Sequence, residues 1–302
     1  MSDSLPPKSR RAFLRESALL AGGCVFSWAV AAESSTRIAL FNGRDLTEWK
    51  AMPRLPVPQF PGAPEPKVSA ESLARNKAHT GRWVVEDGAI VGGQESAGSK
   101  LGAYLVHDRT FGDFELEYEA RPDWRVDTGV MIRALPAGSP GIQVLCDHRP
   151  AGGLAGYFFN GTGSFLATPF LLDGETDADG KLTRLFAATK PEKLPIVPPT
   201  FAVTLEEFTR AWRLNEWNQF RVRCVGAVPV LTTWINGVKV VELDTNKVQF
   251  ANWHPERVRD LLGPRGHIAF EVHSNPPADP HGDDRWAPGA VCRWRNVFVT
   301  EL

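Results

Sequence analysis

The segment 217–243, WNQFRVRCVGAVPVLTTWINGVKVVEL, decides the fold class. Apolar residues and arginines alternate over 220–224, which is the period-two pattern of a half-buried strand. A second run, rich in β-branched and aromatic residues, begins at Val230. Asn236-Gly237 then supplies the positive φ angles of a two-residue hairpin turn, and three valines follow within four residues. Three strands joined by tight connections predict an antiparallel meander.

The same pattern recurs along the chain. The run 83–91 has an Asp87-Gly88 turn at its centre, as expected for a second hairpin, and 114–119 alternates strictly between apolar and acidic residues. Further strand-like runs lie at 104–106, 129–133, 142–145, 266–273 and 291–302. Many short strands and few helical segments predict an all-β protein built as a two-sheet antiparallel sandwich.

Two stretches depart from the strand pattern. The region 51–80 carries six prolines between positions 53 and 66, which excludes a central strand there and predicts an extended surface insertion. The region 165–214 has a weak pattern, with a short helix expected at 205–212. We interpret both as insertions into one sandwich domain that spans 33–302.

The N-terminal 32 residues have the features of an export signal. Arg10 and Arg11 precede an apolar run at 18–30, and small residues close it. The pattern resembles a twin-arginine signal, which directs folded proteins across the bacterial inner membrane. It predicts a periplasmic or other extracytoplasmic location. The alternative is a short anchoring helix, but the run is too short to span a bilayer comfortably, so membrane anchoring is not expected.

Charge and cysteine content exclude several classes of partner. The formal net charge is −1, so no basic surface is available for nucleic acid. The chain has neither a phosphate-binding loop nor a dinucleotide fingerprint, and no nucleotide cofactor is implied. Cys146, Cys224 and Cys292 lack the spacing of a metal site and are predicted to be buried thiols, with a Cys224–Cys292 disulfide as the alternative. A divalent metal ion of unknown identity is left open.

Five segments in order resemble one known family. They are LFNGRDLTEW at 40–49, WVVEDGAIVGG at 83–93, FGDFELEYEARPDWRVDTGVMIR at 111–133, the meander at 216–243, and GHIAFEVHSN with WRNVFVTEL at 266–302. Together they resemble the 3-keto-disaccharide hydrolase domain of the concanavalin A-like lectin/glucanase superfamily. The resemblance implies a jelly-roll sandwich that processes carbohydrate oxidised at C3.

A 3-keto sugar offers a route to glycoside cleavage that an ordinary sugar lacks. The ketone acidifies the proton on C2, so a base can form an enolate that expels the leaving group from C1, and water can then add. This route needs a base near C2, an electrophile at the ketone oxygen and an acid at the leaving oxygen. An ordinary glycosidase instead needs two carboxylates across the bond, and no such cluster appears in the sequence.

The predicted catalytic residues lie on two strands. Glu271 and His273 are two residues apart, so their side chains share one face of a strand. Family members commonly carry Gln at the position of Glu271. Asp147 and His148 follow the strand 142–145 and offer a base or a metal ligand. The alternatives are structural: a histidine at a strand end bonded to a carbonyl, and an Asp-His turn.

The predicted substrate-binding residues are Arg133, Gln143, Trp124 and Trp286. Arg133 ends an apolar strand and needs an anionic or polar partner, either structural or a sugar. The resemblance implies Gln143, although the Glu that often precedes it is absent near Gly141. The two tryptophans lie in loops and are candidates for stacking on sugar rings. A non-catalytic glycan-binding sandwich that uses the same face is the alternative function.

Overall fold

The structure is a computed structural model that describes residues 36–189, 194–275 and 282–302. The predicted signal segment 1–32 lies outside these described residues. No helix in the described ranges has the length and apolar character needed to cross a membrane.

The described chain is dominated by strands. In chain order they are β1 Arg37–Ala39, β2 Trp49–Pro53, β3 Arg82–Glu86, β4 Ala89–Gly93, β5 Ala103–Phe111, β6 Phe114–Pro122, β7 Thr128–Ala134, β8 Gly141–Cys146, β9 Leu154–Asn160, β10 Leu166–Ala167, β11 Leu172–Thr176, β12 Leu182–Ala187, β13 Phe201–Ala202, β14 Asn218–Val225, β15 Val230–Ile235, β16 Val238–Asp244, β17 Gly266–Val272 and β18 Val291–Glu301. The α-helices are α1 Ala70–Lys77, α2 Leu205–Ala211 and α3 Pro255–Leu262, and Thr245–Lys247 and Gly282–Asp284 form 3₁₀ turns.

Two antiparallel sheets form the body of the domain. The nine-stranded sheet has the order β13-β16-β15-β14-β6-β18-β4-β3, with β1 paired to β18, and the seven-stranded sheet has the order β10-β9-β8-β7-β17-β5-β2. The chain crosses between the sheets at β1 to β2, β2 to β3, β4 to β5, β5 to β6, β6 to β7, β16 to β17 and β17 to β18. Such alternation is the connectivity of a jelly roll, so the predicted two-sheet antiparallel jelly-roll sandwich is confirmed.

The meander predicted from 217–243 is present as β14, β15 and β16. Phe220, Val222 and Cys224 are fully buried, and Arg221 and Arg223 point outward towards Glu115 on β6. The turn residues Asn236 and Gly237 have φ angles of 48° and 84°, as a two-residue hairpin requires. The local pattern therefore fixes both the strand faces and the turn.

The core lies between the two sheets and is rich in aromatic rings. Phe270 of the seven-stranded sheet stacks between Trp49 and Trp294, with ring centroids 5.1 and 4.6 Å away. Such offset rings add to the stability that comes from burying their area. Cys146, Cys224 and Cys292 are buried free thiols, as predicted.

The two insertions are more ordered than their composition suggests. The first insertion contains the end of edge strand β2 and helix α1, and this helix was not predicted. The proline-rich part of the insertion lies over the seven-stranded sheet. The second contains the β11–β12 hairpin and helix α2, which confirms the short helix expected at 205–212. A capping box between Thr204 and Glu207 begins α2.

Candidate functional site

A cavity of about 540 Å³ lies on the outer face of the seven-stranded sheet. On β8, alternation sends Ile142, Val144 and Cys146 into the core. The intervening residues Gln143 and Leu145, followed by Asp147, line the cavity. The proline-rich segment after β2 forms the opposite wall. The volume falls within the range that small-molecule sites occupy.

Three loop segments meet at one end of the cavity because their backbones pair. Val126 forms isolated antiparallel bridges with both His148 and Trp286. The amide of Asp127 also donates to the carbonyl of Arg285 at 2.7 Å. Neighbours of a bridged residue point to the opposite side of an extended backbone. Pairing through 126, 148 and 286 therefore directs the side chains of the flanking residues into the cavity.

Those flanking residues form a charged cluster. Nε of Arg149 donates to Oδ2 of Asp127 at 3.0 Å, and its Nη2 lies 3.8 Å from Oδ2 of Asp147. Arg285 pairs with the same oxygen of Asp127. Both carboxyl groups thus lie against the guanidinium group of Arg149. Oδ1 of Asp147 is buried and has no hydrogen-bond partner among the described residues.

The two carboxyl groups have opposite protonation tendencies. Burial raises the pKa of Asp147 well above its ordinary value, and the negative charge of Asp127 raises it further. Burial also acts to raise the pKa of Asp127, but Arg285, Arg149 and, when protonated, His273 together hold it below its ordinary value. Of the two carboxyl groups, Asp147 therefore has the greater tendency to hold a proton.

A second set of contacts joins Glu271 and His273 through Arg54. Nε of Arg54 donates to Oε1 of Glu271 at 2.7 Å, and its Nη2 lies 2.9 Å from Nε2 of His273. A guanidinium group has no acceptor, so Nε2 of His273 must accept this hydrogen bond. Nδ1 then carries the proton and donates to the carbonyl of Ser274 at 2.6 Å. His273 is thereby fixed as one neutral tautomer.

Burial sets the protonation of these residues as well. Burial lowers the pKa of His273 well below its ordinary value, and the charge of Arg54 lowers it further. Burial raises the pKa of Glu271, whereas Arg54 opposes that rise. Glu271 is fully buried beneath Arg54 and does not line the cavity, whereas His273 does.

Gln143 lies at the middle of the cavity floor. A side chain on the neighbouring Gly129 would come within 3.0 Å of Nε2 of Gln143, so the glycine leaves room for the amide to lie across the sheet. Nε2 of Gln143 is buried without a hydrogen-bond partner among the described residues. It is therefore available to donate to an oxygen of a bound molecule.

Arg133 does not line the cavity that contains His273. Its guanidinium, 4% exposed, binds Oδ1 of Asp113 at 2.9 Å and the carbonyls of Pro264 and Gly226. These contacts tie the end of β7 to three connecting segments, those between β5 and β6, between β14 and β15, and before β17. A cation at this strand end finds its anionic partner in the fold, so we leave it out of the candidate site.

His148, Trp124 and Trp286 also lie outside the cavity. Nδ1 of His148 donates to the carbonyl of Asp123 at 2.9 Å, and burial lowers its pKa to about 4. Trp286 is 1% exposed and packs against Val126, so it has no free face for a sugar. Trp124 stands edge-on to His148 and lines a separate cleft. The alternation that directs Asp147 into the cavity directs His148 away from it.

Four charged residues of the cavity were not predicted: Arg54, Asp127, Arg149 and Arg285. Asp127 and Arg149 each lie two residues or fewer from a predicted residue or motif, so alternation along the chain was the signal that would have found them. Arg54 lies in the proline-rich insertion, where no local pattern marks it.

The described side chains offer no cluster of metal ligands. Within these ranges no three His, Cys, Asp or Glu side chains are grouped so that they could hold a metal ion. His281, which the sequence places in the same polar loop as Trp286, lies outside the described residues. The cluster around Asp127 instead uses guanidinium groups as its positive charge.

Solved structures with a similar fold have low sequence identity. A protein from Parabacteroides distasonis titled as a candidate glycosyl hydrolase is 16% identical, covers 88% of this chain and 94% of its own, and has a TM-score of 0.42. The β-glucanase of Bacillus licheniformis is 10% identical, with coverages of 89% and 98% and a TM-score of 0.39. The carbohydrate-binding module CBM66 of Bacillus subtilis is 10% identical, with coverages of 73% and 92% and a TM-score of 0.40.

No curated protein matches this sequence. A family model does match, and it extends over residues 36–300, which include both sheets and both insertions. It describes a 3-keto-alpha-glucoside-1,2-lyase-like domain. The match also contains every charged residue of the cavity described above. The chain therefore belongs to the family of 3-keto-disaccharide hydrolase domains.

Proposed function

We propose that this protein cleaves the glycosidic bond of 3-keto-glycosides by elimination followed by addition of water. The observation that carries the proposal is the buried pair Asp127 and Asp147, held by Arg149 at the end of a cavity large enough for a glycoside. Family membership supports the substrate class. The paired arginines at the N-terminus support export, so we place the activity in the periplasm.

The position of the two carboxyl groups argues against ordinary glycoside hydrolysis. That reaction needs carboxyl groups on opposite sides of the scissile bond, at separations of about 5 to 9.5 Å. Asp127 and Asp147 instead contact the same guanidinium group, that of Arg149. They therefore lie on one side of any bound substrate. Elimination from a 3-keto sugar needs only one carboxylate, as the base at C2, which this arrangement can supply.

Asp147 is the proposed proton-transfer residue. Its raised pKa makes its carboxylate a stronger base than that of an ordinary aspartate, and Oδ1 is not engaged by the protein. In the proposed reaction Asp147 takes the C2 proton and the electron pair forms an enolate on the C3 oxygen. The enolate then collapses to a C1–C2 double bond as the C1–O bond breaks, and the leaving oxygen takes a proton. Water adds across the double bond.

The surrounding cations are suited to this route. Enolate formation places negative charge on the former ketone oxygen, and fixed positive groups in a buried site stabilise such charge without reorganisation. Arg149 and Arg285 are held in place by Asp127. Arg54 adds a third guanidinium group at the His273 side of the cavity. Gln143 offers an amide donor to a sugar hydroxyl or to the leaving oxygen.

A non-catalytic glycan-binding domain is the second candidate. The absence of a glutamate near Gly141 favours this candidate. Alternation along β8 directs position 141 to the same side as Gln143, and the family often carries a Glu close to this position. The two candidates differ in one measurable respect. A binding domain holds a 3-keto-glycoside without releasing its leaving group, and substitution of Asp147 changes affinity only.

The test is release of 4-nitrophenol from 4-nitrophenyl 3-keto-glucoside, compared with the unoxidised 4-nitrophenyl glucoside. We expect release from the 3-keto substrate alone, and a loss of about a hundredfold or more in Asp147→Asn, because Asn cannot accept the C2 proton. Phe201→Ala is the control, since Phe201 lies on the edge of the other sheet. Equal release from both glucosides, or an unaffected Asp147→Asn, contradicts the proposal.

A further inference from the structure

The end of the cavity away from the two aspartates is lined mainly by hydrocarbon, with Gln59 and Asn160 as its polar side chains. Leu55, Val57 and Phe60 come from the proline-rich insertion. Phe158 of β9 and Leu166 of β10 face them from the sheet. Both insertions thus contribute apolar side chains to a cavity whose opposite end is charged.

The length of the floor separates the two ends. Gln143 pairs with Phe158 across β8 and β9, and Asp147 lies four residues further along the chain. At about 3.3 Å per residue, and with an irregularity between Val144 and Cys146 on the path, the apolar end lies at most about 13 Å from Asp147. That distance accommodates one sugar ring beside Asp147 and a second group against the apolar wall.

The apolar wall is fixed to the rest of the domain. Oγ of Ser164 donates to the carbonyl of Gln59 at 2.9 Å, and the ring of Phe60 lies 6.0 Å from that of His254. Val57 lies so close to Gly161 that a side chain there would come within 3.1 Å of its methyl group. The wall is therefore a built surface with a set position relative to Asp147.

Resting on the proposed function, we propose that the leaving group of the natural substrate is an aromatic or other apolar alcohol rather than a second sugar. The hydroxyl groups of a second sugar need hydrogen-bond partners, and burying them against hydrocarbon is costly. The nearby amide of Asn160 already donates to the hydroxyl of Tyr104 at 3.2 Å. An aromatic ring instead gains from burial between Phe60, Val57 and Phe158.

Binding tests the inference without catalysis. The probes are phenyl and methyl 1-thioglucosides of one anomeric configuration, which differ only in the group at the apolar end, measured by isothermal titration calorimetry. We expect the phenyl compound to bind about tenfold or more tightly, since burying a phenyl ring is worth at least this factor. Phe60→Ala should remove most of that preference, and Phe201→Ala should not. Equal affinities, or a preference that survives Phe60→Ala, overturn the inference.

Catalysis gives a second measurement on the same proposal. We expect kcat/KM for phenyl 3-keto-glucoside to exceed that for a 3-keto-disaccharide. Phe60→Ala should lower the ratio of these two kcat/KM values about tenfold. A higher kcat/KM for the disaccharide overturns the inference and leaves the proposed function intact. If neither substrate is cleaved, the proposed function fails, and the ratio of the thioglucoside affinities still decides the apolar site.

Discussion

Nη2 of Arg54 lies 2.9 Å from Nε2 of His273, and a guanidinium group can only donate. The contact occupies the lone pair that His273 would use as a general base. It joins a residue from the proline-rich insertion to the end of β17, which the sequence places 219 positions further along. In this arrangement His273 positions Arg54, and proton transfer falls to Asp147.

Removing this contact should change the titration of His273. Burial and then the charge of Arg54 hold the pKa of His273 well below its ordinary value. In Arg54→Gln the second cause disappears, so the pKa of His273 should rise. Nitrogen-detected NMR of the imidazole groups across a pH series measures it. Arg37→Gln, an exposed arginine paired to Glu117, is the matched control and should leave the titration unchanged.

An unchanged pKa of His273 in Arg54→Gln would contradict the assigned contact. The tautomer gives an independent reading, because Nδ1 and Nε2 have distinct nitrogen shifts. We expect the proton on Nδ1 in the unsubstituted protein, consistent with its hydrogen bond to Ser274.

Asp127 should control the pH dependence of cleavage. Burial and the charge of Asp127 raise the pKa of Asp147, so activity should rise with pH as Asp147 loses its proton. Asp127→Asn removes the neighbouring negative charge and leaves Arg149 and Arg285 in place. The pKa of Asp147 then falls, and the rising limb of the pH–rate profile should move to lower pH. Asp127→Glu keeps the charge and should leave the rising limb of the pH–rate profile at its original pH. A rising limb that does not move in Asp127→Asn would contradict the proposed effect of Asp127 on the pKa of Asp147.

The two aspartates should affect stability with opposite signs. The folded-state pKa of Asp127 is lowered, so its contribution to stability is present above the unfolded pKa of about 3.9 and is lost as pH falls. Breaking a buried ion pair costs about 3 kcal/mol or more. Asp127→Asn should therefore lower the free energy of unfolding at pH 7 by roughly 3 kcal/mol, with a smaller loss at pH 3.

Asp147→Asn provides the contrasting measurement. The folded-state pKa of Asp147 is raised, so its favourable contribution exists below the unfolded pKa and is lost as pH rises. At pH 7 the substitution should leave the free energy of unfolding unchanged or higher. Denaturant unfolding followed by tryptophan fluorescence measures both variants. A loss at pH 7 in Asp147→Asn equal to that in Asp127→Asn would contradict the assigned protonation states.

The three core thiols should be inert in the folded protein. Cys146, Cys224 and Cys292 are buried, and burial raises the pKa of each thiol. The thiolate is the reactive form, so a thiol-specific chromogenic disulfide should label none of them until the protein unfolds. The fourth cysteine, Cys24, lies in the predicted signal segment, so the experiment uses a Cys24→Ser variant. We expect three equivalents of label in guanidinium chloride and none in buffer. Labelling in buffer would show that one of these thiols is accessible.

The fold followed from local patterns because strand alternation and turn chemistry are encoded by adjacent residues. The Asn236-Gly237 hairpin and the buried face of β14 could each be assigned from a short stretch of adjacent residues. The sheet order could not, since β17 pairs with β5 and β7 across more than a hundred residues. The proline-rich insertion was expected on the surface, and its role as a cavity wall depends on those long-range pairings.

The candidate site was predicted in part. Asp147, Gln143 and His273 line the cavity, and Glu271 lies beneath it, because each belongs to the outward-facing set of a strand or its extension. Arg133, by contrast, is bound to Asp113 from a distant turn, which no local spacing reveals. His148 and Trp286 were selected for their chemistry, but both are bridged to Val126 and point away. Their neighbours Arg149 and Arg285 occupy the cavity instead.

The most direct test of the central claim is the fate of the C2 hydrogen during cleavage. With a 3-keto-glucoside deuterated at C2, we expect slower cleavage than with the protiated substrate, since Asp147 must break that bond. We also expect that Asp147→Asn abolishes release while Phe201→Ala does not. Cleavage at the same rate for both isotopes, with deuterium still on C2 in the product, would contradict the elimination route.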